Sequence, residues 1–170
     1  GKATDAIFSY VAEGFFQDQA DIDNHATQTF GEVQPGDIKY KDLNGDGIIN
    51  QDDQEVVGNF NSRFQYGLNL RLGFKNLELF VQGVGQTGGS RFFNNDYFWV
   101  YGQRKYSEEV LGRWTPATAG SATYPRLSST FNNNNFRNST FWLYEDNWFN
   151  LRRVQLTYRF PEMRGIKGLM

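Results

Sequence analysis

The segment from Phe64 to Phe74 alternates strictly between large apolar residues and polar or small ones. A period of two places each kind of side chain on its own face of a β-strand, whereas a helix would mix them around its surface. Eleven residues with an aromatic ring at each end is also the length at which a tilted strand crosses an outer membrane. The segment therefore predicts a strand of a transmembrane β-barrel or a half-buried strand of a soluble β-sandwich.

Two more segments share this period. Lys75 and Asn76 predict a tight turn, and residues 77–84 predict the antiparallel partner of the first strand. In residues 149–160 the alternation is clear from Val154 onward, and Pro161 ends the strand because proline cannot donate to the sheet ladder. Shorter extended segments are predicted at residues 7–12 and 36–41, and short helices within residues 17–24 and 107–114.

The connection between Gly85 and Asp146 separates the two interpretations of the strands. It runs for about sixty residues rich in Gly, Asn, Ser and aromatic side chains. Compact soluble domains seldom contain loops of that length, while transmembrane barrels combine short turns on one side with long loops on the other. We therefore predict a mainly β fold of antiparallel transmembrane barrel strands, with long loops and one or two short helices.

Composition agrees with strands and solvated loops. Aromatic residues make up 17% of the chain, glycine contributes 18 residues, and the mean hydropathy is −0.62. A net charge of −2 without a basic stripe indicates that nucleic acid is not a partner. The absence of cysteine excludes disulfides and thiolate metal sites. The sequence contains no stretch of about 18 apolar residues, so no membrane helix is predicted. The chain is expected to be part of a longer protein.

The most distinctive motif lies in residues 42–53, which have the ligand spacing of a calcium-binding loop. Asp42, Asn44 and Asp46 take positions one, three and five, Gly47 allows a sharp turn, and the later candidate ligands are the Ile48 carbonyl, Asn50 and Asp53. Position twelve is Asp rather than the bidentate Glu of an EF-hand, and the flanks look extended rather than helical. The alternative is a turn whose Asp and Asn side chains bond their own backbone.

An ordered series of segments resembles the late barrel region of SusC/RagA-like TonB-dependent outer-membrane transporters. Each segment is short, but together they cover nearly the whole chain in consistent order. The segments are residues 10–17, 36–47, 66–68, 73–79, 124–128, 139–146 and 149–156.

The resemblance implies a barrel of about 22 strands with an N-terminal plug, in the outer membrane of a Gram-negative cell. Such a transporter imports oligosaccharides or peptides with energy relayed by TonB, and a SusD-like surface lipoprotein closes over it. Residues 1–170 would then be a partial barrel of late strands and extracellular loops in contact with outer-membrane lipid, without the plug through which TonB acts and without the final strands. The acidic loop would be a calcium-stiffened extracellular connection.

Two other classes of function stay open at this stage. The first is a soluble, calcium-stiffened carbohydrate-binding β-module, although a dockerin would need two acidic loops on helices and the chain has one. The second is an enzyme, but the carboxylate pairs Glu108–Glu109 and Glu145–Asp146 are adjacent and would diverge rather than flank a glycosidic bond. The single histidine, His25, is predicted to lie in a solvated loop or at a helix end. We expect no catalysis.

The positions of two groups of residues in the fold can also be predicted. The aromatic residues of 92–114 and 142–148 are expected to pack the long loops or to lie in an interfacial girdle, with stacking on sugar rings as the alternative. The run from Asn132 to Asn135 is expected to be a flexible loop tip.

Overall fold

The computed structural model describes residues 3–161, and its regular secondary structure is almost entirely β. In chain order the elements are β1 (Ala6–Ser9), β2 (Ala12–Phe15), α1 (Gln19–Asp23), β3 (Thr27–Gln28), β4 (Ile38–Tyr40), β5 (Ile48–Ile49), β6 (Glu55–Asn59), β7 (Phe64–Phe74), β8 (Leu77–Thr87), β9 (Ser90–Phe92), a 3₁₀ helix (Glu108–Gly112), β10 (Leu143–Glu145) and β11 (Trp148–Tyr158). The predicted mainly β composition is confirmed. Within residues 3–161, no helix combines the length and the apolar composition needed to span a membrane.

The described residues divide into two compact units. The loop unit contains residues 3–60 and 90–144, and the sheet unit contains residues 61–89 and 145–161. The loop unit holds four short strand pairs, in the orders β1-β6, β2-β4, β3-β5 and β9-β10. The sheet unit holds one sheet in the order β11-β8-β7.

All strands of the sheet unit are antiparallel. β7 and β8 form a hairpin whose register runs without interruption from Phe64 opposite Thr87 to Phe74 opposite Leu77. Lys75 begins the connecting turn with a φ of 52°, a left-handed conformation that is uncommon outside glycine. The hairpin is confirmed, and its second strand continues three residues past the predicted end at Val84 because the β7 partners extend to Phe64.

β11 contains a β-bulge where the polar pair Arg152–Arg153 interrupts the alternation of its sequence. Leu151 lies opposite Gly83 and Arg153 lies opposite Gln82, so Arg152 is the extra residue. An extra residue reverses the alternation of side chains beyond it. Phe149 and Leu151 therefore lie on the same face as Val154 and Leu156, although their numbers differ in parity.

Glycines of β8 make room for aromatic rings of the neighbouring strands. Gly85 lies directly between Tyr66 and Phe149, whose rings stack at 6.2 Å with an interplanar angle of 9°. A Cβ at Gly85 would come within 2.5 Å of the Tyr66 ring, and one at Gly83 within 2.2 Å of the Phe149 ring. The small residues of the middle strand thus allow rings from both edge strands to cover it.

In the loop unit, β4 lies at the centre of the core. Ile38 and Tyr40 are fully buried and pack with rings that include Tyr10, Phe136 and Trp142. One edge of β4 pairs with β2. Burial raises the pKa of the Tyr40 phenol well above its ordinary value, and its hydroxyl donates to the Asn134 carbonyl at 2.6 Å.

Side chains take the place of a strand along the other edge of β4. The Ile38 N–H donates to Asn135 Oδ1 at 2.8 Å, and Asn134 Nδ2 and Gln28 Nε2 donate to the Ile38 carbonyl at 2.9 and 3.1 Å. The Tyr40 N–H donates to Gln28 Oε1 at 2.6 Å. A buried backbone group without a partner costs free energy, so these amide side chains are structural members of the core.

This arrangement corrects the prediction for the asparagine run. Asn134 and Asn135 are not at a flexible tip but are 1% and 0% exposed, because they complete the hydrogen bonding of β4. His25 follows the end of α1 as predicted, yet it is half-buried, with Nε2 2.8 Å from the Tyr40 carbonyl and its ring edge-to-face with Phe16.

The other short predictions are confirmed with changed bounds. The strand predicted at 7–12 is divided, because β1 pairs with β6 whereas β2 pairs with β4. The extended segment 36–41 contains β4, and the two predicted helices are α1 and the 3₁₀ helix, each five residues long. Most rings of the long connection pack as predicted, with Trp114 and Trp142 buried.

Candidate functional site

The sheet unit presents two faces of opposite chemistry. Residues directly opposite each other on neighbouring strands share a face, so the registers define an outer face of apolar side chains that continues across all three strands. Its large members are Phe64, Tyr66, Leu68, Leu70, Leu72, Phe74, Leu77, Leu79, Val81, Phe149, Leu151, Val154, Leu156 and Tyr158. We call the opposite face, which carries Gln65, Asn69, Arg71, Glu78, Gln82, Asn150, Arg153 and Gln155, the inner face.

The outer face has no protein packed on it within the described residues. Leu68, Leu70 and Leu156 are 54%, 42% and 65% exposed. Continuous apolar surface of this extent on a folded chain marks a contact with lipid or protein. An 11-residue strand rises about 35 Å, and tilted by about 40° it would span an apolar band of about 25 Å.

Aromatic rings lie at both ends of the outer face. Phe64, Tyr66 and Phe149 form a stack near the Thr87 end of β8. Phe74 and Tyr158 lie at the other end, beside the Lys75–Asn76 turn. Aromatic rings at both limits of an apolar band are typical of the interfacial girdles of membrane β-barrels.

The inner face is polar and carries an ion-pair cluster near the tight turn. Glu78 lies 3.3 Å from both the Arg71 and the Arg159 guanidinium nitrogens. The guanidinium groups of Arg71 and Arg153 lie 5.6 and 6.0 Å from the centre of the Phe80 ring. The sheet thus has the apolar-outside, polar-inside pattern of a transmembrane barrel wall.

The acidic loop is organised by its own carboxylates. Asp42 accepts from the Gly45 N–H at 2.7 Å and from the Gly47 N–H at 2.8 Å. The Gly47 amide contributes most to holding the pKa of the Asp42 carboxyl below its ordinary value, because N–H donors stabilise the charged form. Gly45 and Gly47 have φ values of 74° and 81°, so the tight winding of the loop uses residues that tolerate a left-handed backbone.

Asp53 closes the loop from within. It is fully buried, and its oxygens accept from the Leu43 and Asn50 N–H groups, each at 2.9 Å. Its carboxylate therefore joins the beginning of the loop to its end.

The remaining candidate ligands form local turns. Asn44 Oδ1 accepts from the Asp46 N–H at 2.9 Å, and Asp46 Oδ1 accepts from the Ile48 N–H at 2.8 Å. Asn50 Oδ1 accepts from the Asp52 N–H at 2.8 Å. β5 binds β3 through the carbonyls of Gly47 and Ile49, so the Ile48 carbonyl points to the other side of the strand.

The geometry therefore brings the six predicted ligands into one loop but orients them mainly toward backbone amides. Among residues 3–161, no three His, Cys, Asp or Glu side chains gather into a group that could hold a metal ion. A carboxylate or amide oxygen has two lone-pair sites, so an N–H bond leaves room for a cation. Calcium binding by this loop stays a prediction.

The two carboxylate pairs considered for catalysis are either exposed or bonded to neighbouring amide side chains. Glu108 and Glu109 are both exposed at the start of the 3₁₀ helix. Glu145 accepts from Asn147 Nδ2 at 2.7 Å, and Asp146 accepts from Gln86 Nε2 at 3.2 Å. These contacts serve the local structure of the strand ends.

Comparison with known proteins finds two relatives that match most of this chain. No protein-family model matches the chain. TonB-dependent receptor P26 of Formosa agariphila is 30% identical over 138 residues, which cover 79% of this chain and 14% of the receptor. TonB-dependent receptor P3 of the same organism is 23% identical over 162 residues, which cover 95% of this chain and 16% of the receptor. The chain is similar to TonB-dependent receptors.

The chain spans only about one seventh of the length of these two TonB-dependent receptors. The described residues form one three-stranded sheet and four two-stranded sheets, not a closed barrel.

The alternation of the sequence predicts only part of the outer face. Phe149 and Leu151 belong to it, but their parity differs from that of Val154 and Leu156. The adjacent pair Arg152–Arg153 between apolar residues was the available signal, because two successive polar residues in an alternating strand indicate a bulge. The contacts of the buried Asp37, which join distant segments, had no sequence signal.

Proposed function

We propose that this chain forms part of the membrane-spanning barrel of a SusC/RagA-type TonB-dependent transporter. The transporter imports oligosaccharides or peptides across the outer membrane of a Gram-negative cell, together with a SusD-like surface lipoprotein. TonB would act through a plug region outside these 170 residues. This chain supplies late barrel strands and the long connections between them.

One observation carries the proposal: three 11-residue strands share an exposed apolar face with rings at both ends and a polar opposite face. A soluble carbohydrate-binding module would cover that face with a second sheet, and among residues 3–161 no second sheet packs on it. The ordered resemblance of nearly the whole chain adds the SusC/RagA assignment, and with it the lipoprotein partner.

Arginine substitution on each face of β7 tests the membrane assignment. In the full-length transporter, Leu70→Arg would place a charge in the middle of the outer face, at a cost of about 2–4 kcal/mol where the strand meets lipid. Asn69→Arg on the inner face is the matched control. We expect heat-resistant folded transporter from Asn69→Arg and a large loss from Leu70→Arg, measured by semi-native gel electrophoresis of outer membranes. Equal tolerance of both substitutions would contradict a lipid-facing outer face.

Uptake and purification test the transport assignment. Cells that express the intact transporter should accumulate its substrate only when TonB is present and the inner membrane is energised. A tagged transporter should co-purify with the lipoprotein encoded beside it. TonB-independent uptake, or purification without any lipoprotein, would contradict the corresponding part of the proposal.

We further propose that the acidic loop binds calcium through Asp42, Asn44, Asp46, Ile48 and Asn50, with Asp53 closing the loop behind them. The direction of the Ile48 carbonyl, away from β3, supports this proposal.

Isothermal titration calorimetry with calcium chloride tests the proposal by measuring calcium affinity. Asp46→Asn should weaken binding at least about tenfold, because Ca²⁺ prefers charged oxygen ligands. Asp52→Asn, which removes an exposed carboxylate of the same loop, should not. If Asp46→Asn and Asp52→Asn bound calcium with equal affinity, this set of ligands would be excluded.

A further inference from the structure

A polar cleft in the loop unit has no role in the function proposed above. It has a volume of about 510 Å³ and lies between residues 30–34 and residues 126–133. Its lining includes Glu32, Gln34, Ser129, Thr130, Phe131 and Asn133. Within residues 3–161, the side chains of Glu32, Gln34, Ser129 and Asn133 form no hydrogen bond with another residue. The cleft therefore presents uncommitted donors and acceptors to a ligand.

A single buried carboxylate fixes both walls of the cleft. Asp37 is 0% exposed. The Gln34 N–H donates to its Oδ2 at 2.8 Å from one wall, and Asn132 Nδ2 donates to its Oδ1 at 3.0 Å from the other. Arg126 lies with Nε 2.7 Å from Oδ1 and donates from Nη2 to Oδ2 at 3.1 Å. A site whose walls are held before the ligand arrives loses less entropy on binding.

The same contacts determine the charge of the cleft. Arg126 and Glu32 are the charged residues of its lining, and the Arg126 charge is balanced by Asp37 directly behind it. The carboxylate of Glu32 then leaves the cleft with a negative character. Juxtaposed like charges disfavour association, so an anionic ligand is selected against.

One aromatic ring completes the lining. Phe131 is 42% exposed, and its ring is held edge-to-face by Tyr101 at 5.2 Å and tilted against Phe136 at 5.6 Å. A fixed, partly exposed ring beside hydrogen-bonding groups offers an apolar surface next to polar ones. A pyranose has the complementary form, with a C–H face and a rim of hydroxyl groups.

We propose that this cleft binds a short stretch of neutral oligosaccharide, with Phe131 against a sugar face and Glu32, Gln34 and Asn133 bonded to hydroxyl groups. The proposal rests on the transport function above and narrows its substrate to uncharged sugars. A peptide with apolar side chains fits less well, because most of the lining is polar.

Calorimetry on the full-length transporter in detergent tests the proposal. The probes are neutral hexasaccharides of glucose, xylose and mannose, a hexagalacturonate and a mixed-sequence decapeptide. We expect at least one neutral hexasaccharide to bind, and Phe131→Ala and Asn133→Ala each to weaken it about tenfold or more. Tyr97→Ala, which removes another exposed ring of the loop unit, is the control and should change affinity less than twofold. Preference for the galacturonate or the decapeptide, binding of no probe, or unchanged affinity in both cleft variants would overturn the proposal.

Glu32→Lys tests the charge argument separately, because Glu32 is exposed and its replacement does not disturb the Asp37 contacts. We expect this variant to gain affinity for the hexagalacturonate relative to the wild type, and no gain would overturn the assignment of charge selection to Glu32. Uptake measured on the same variants separates the two proposals. TonB-dependent uptake that is unaffected by every cleft variant would overturn the cleft while leaving the transport function in place.

Discussion

Gly36 shows how one residue can determine the packing of the loop unit. Its φ is +88°, and a Cβ there would lie 2.4 Å from the ring of the buried Trp114. We expect Gly36→Ala to destabilise the loop unit by about 2–4 kcal/mol, because overpacking and a left-handed alanine both cost free energy. Hydrogen exchange of loop-unit amides measures the effect. Gly120→Ala is the control, since a Cβ at Gly120 would meet nothing within 4 Å, and equal protection in both variants would contradict the prediction.

Asp42 gives the acidic loop a dependence on pH. Its amide donors, chiefly Gly47, hold the pKa of the folded carboxyl below the ordinary 3.8. A lowered folded pKa means that the stabilisation is complete above the unfolded value and is lost as the pH falls through the folded one. Protection of the Gly45 and Gly47 amides, corrected for intrinsic exchange, should therefore be constant near neutrality and fall below about pH 3.8. In Asp42→Asn that protection should be weaker and independent of pH, and an unchanged profile would contradict the assignment.

At the level of elements, the period of two was sufficient to predict the long strands but not their full extent. β7 and the hairpin turn follow directly from Phe64 to Asn76, because local alternation and turn chemistry specify them. The division of residues 7–12 into two strands depends on partners far along the chain, β6 and β4. The role of Asn134 and Asn135 also depends on distant contacts, since their partner Ile38 is almost a hundred residues away. The residue types alone show only that these side chains are polar.

The glycines of β8 permit a prediction about the sheet as an element. Gly85→Ala should destabilise the sheet unit by about 1–3 kcal/mol, since its Cβ would lie 2.5 Å from the Tyr66 ring and 2.8 Å from the Trp148 carbonyl oxygen. Gly73→Ala in β7 is the matched control, because a Cβ there would meet nothing within 4 Å. The temperature at which the full-length protein loses its heat-resistant band on semi-native gels measures the difference. An unchanged transition for Gly85→Ala would mean that the aromatic stack over β8 does not support the sheet.

At the scale of the whole molecule, some candidate sites were easier to predict from the sequence than others. The outer face was largely predictable, because an exposed apolar face on a strand requires an unbroken alternating apolar row, and that row appears directly in the residues of β7. The acidic loop was predictable as a loop, but the inward orientation of Asp53 was not, since it depends on the backbone path of Leu43 and Asn50. The polar cleft was not predicted, because its walls are about ninety residues apart in sequence and are joined by the contacts of Asp37, which local patterns do not reveal.

The exposed face and edges of the sheet determine how the 170-residue chain should behave when it is produced separately. Among the described residues, β7 and β11 each pair only with β8, so each has one unpaired edge in addition to the apolar outer face. Unpaired edges and exposed apolar surface both promote association between chains. We expect the chain to sediment as aggregates in plain buffer and to become a discrete species in detergent micelles, as measured by analytical ultracentrifugation. The triple variant Leu68→Gln/Leu70→Gln/Leu156→Gln should increase the soluble fraction in buffer, because it interrupts the outer face. A monodisperse wild-type monomer without detergent would contradict a lipid-facing sheet and favour a soluble β-module.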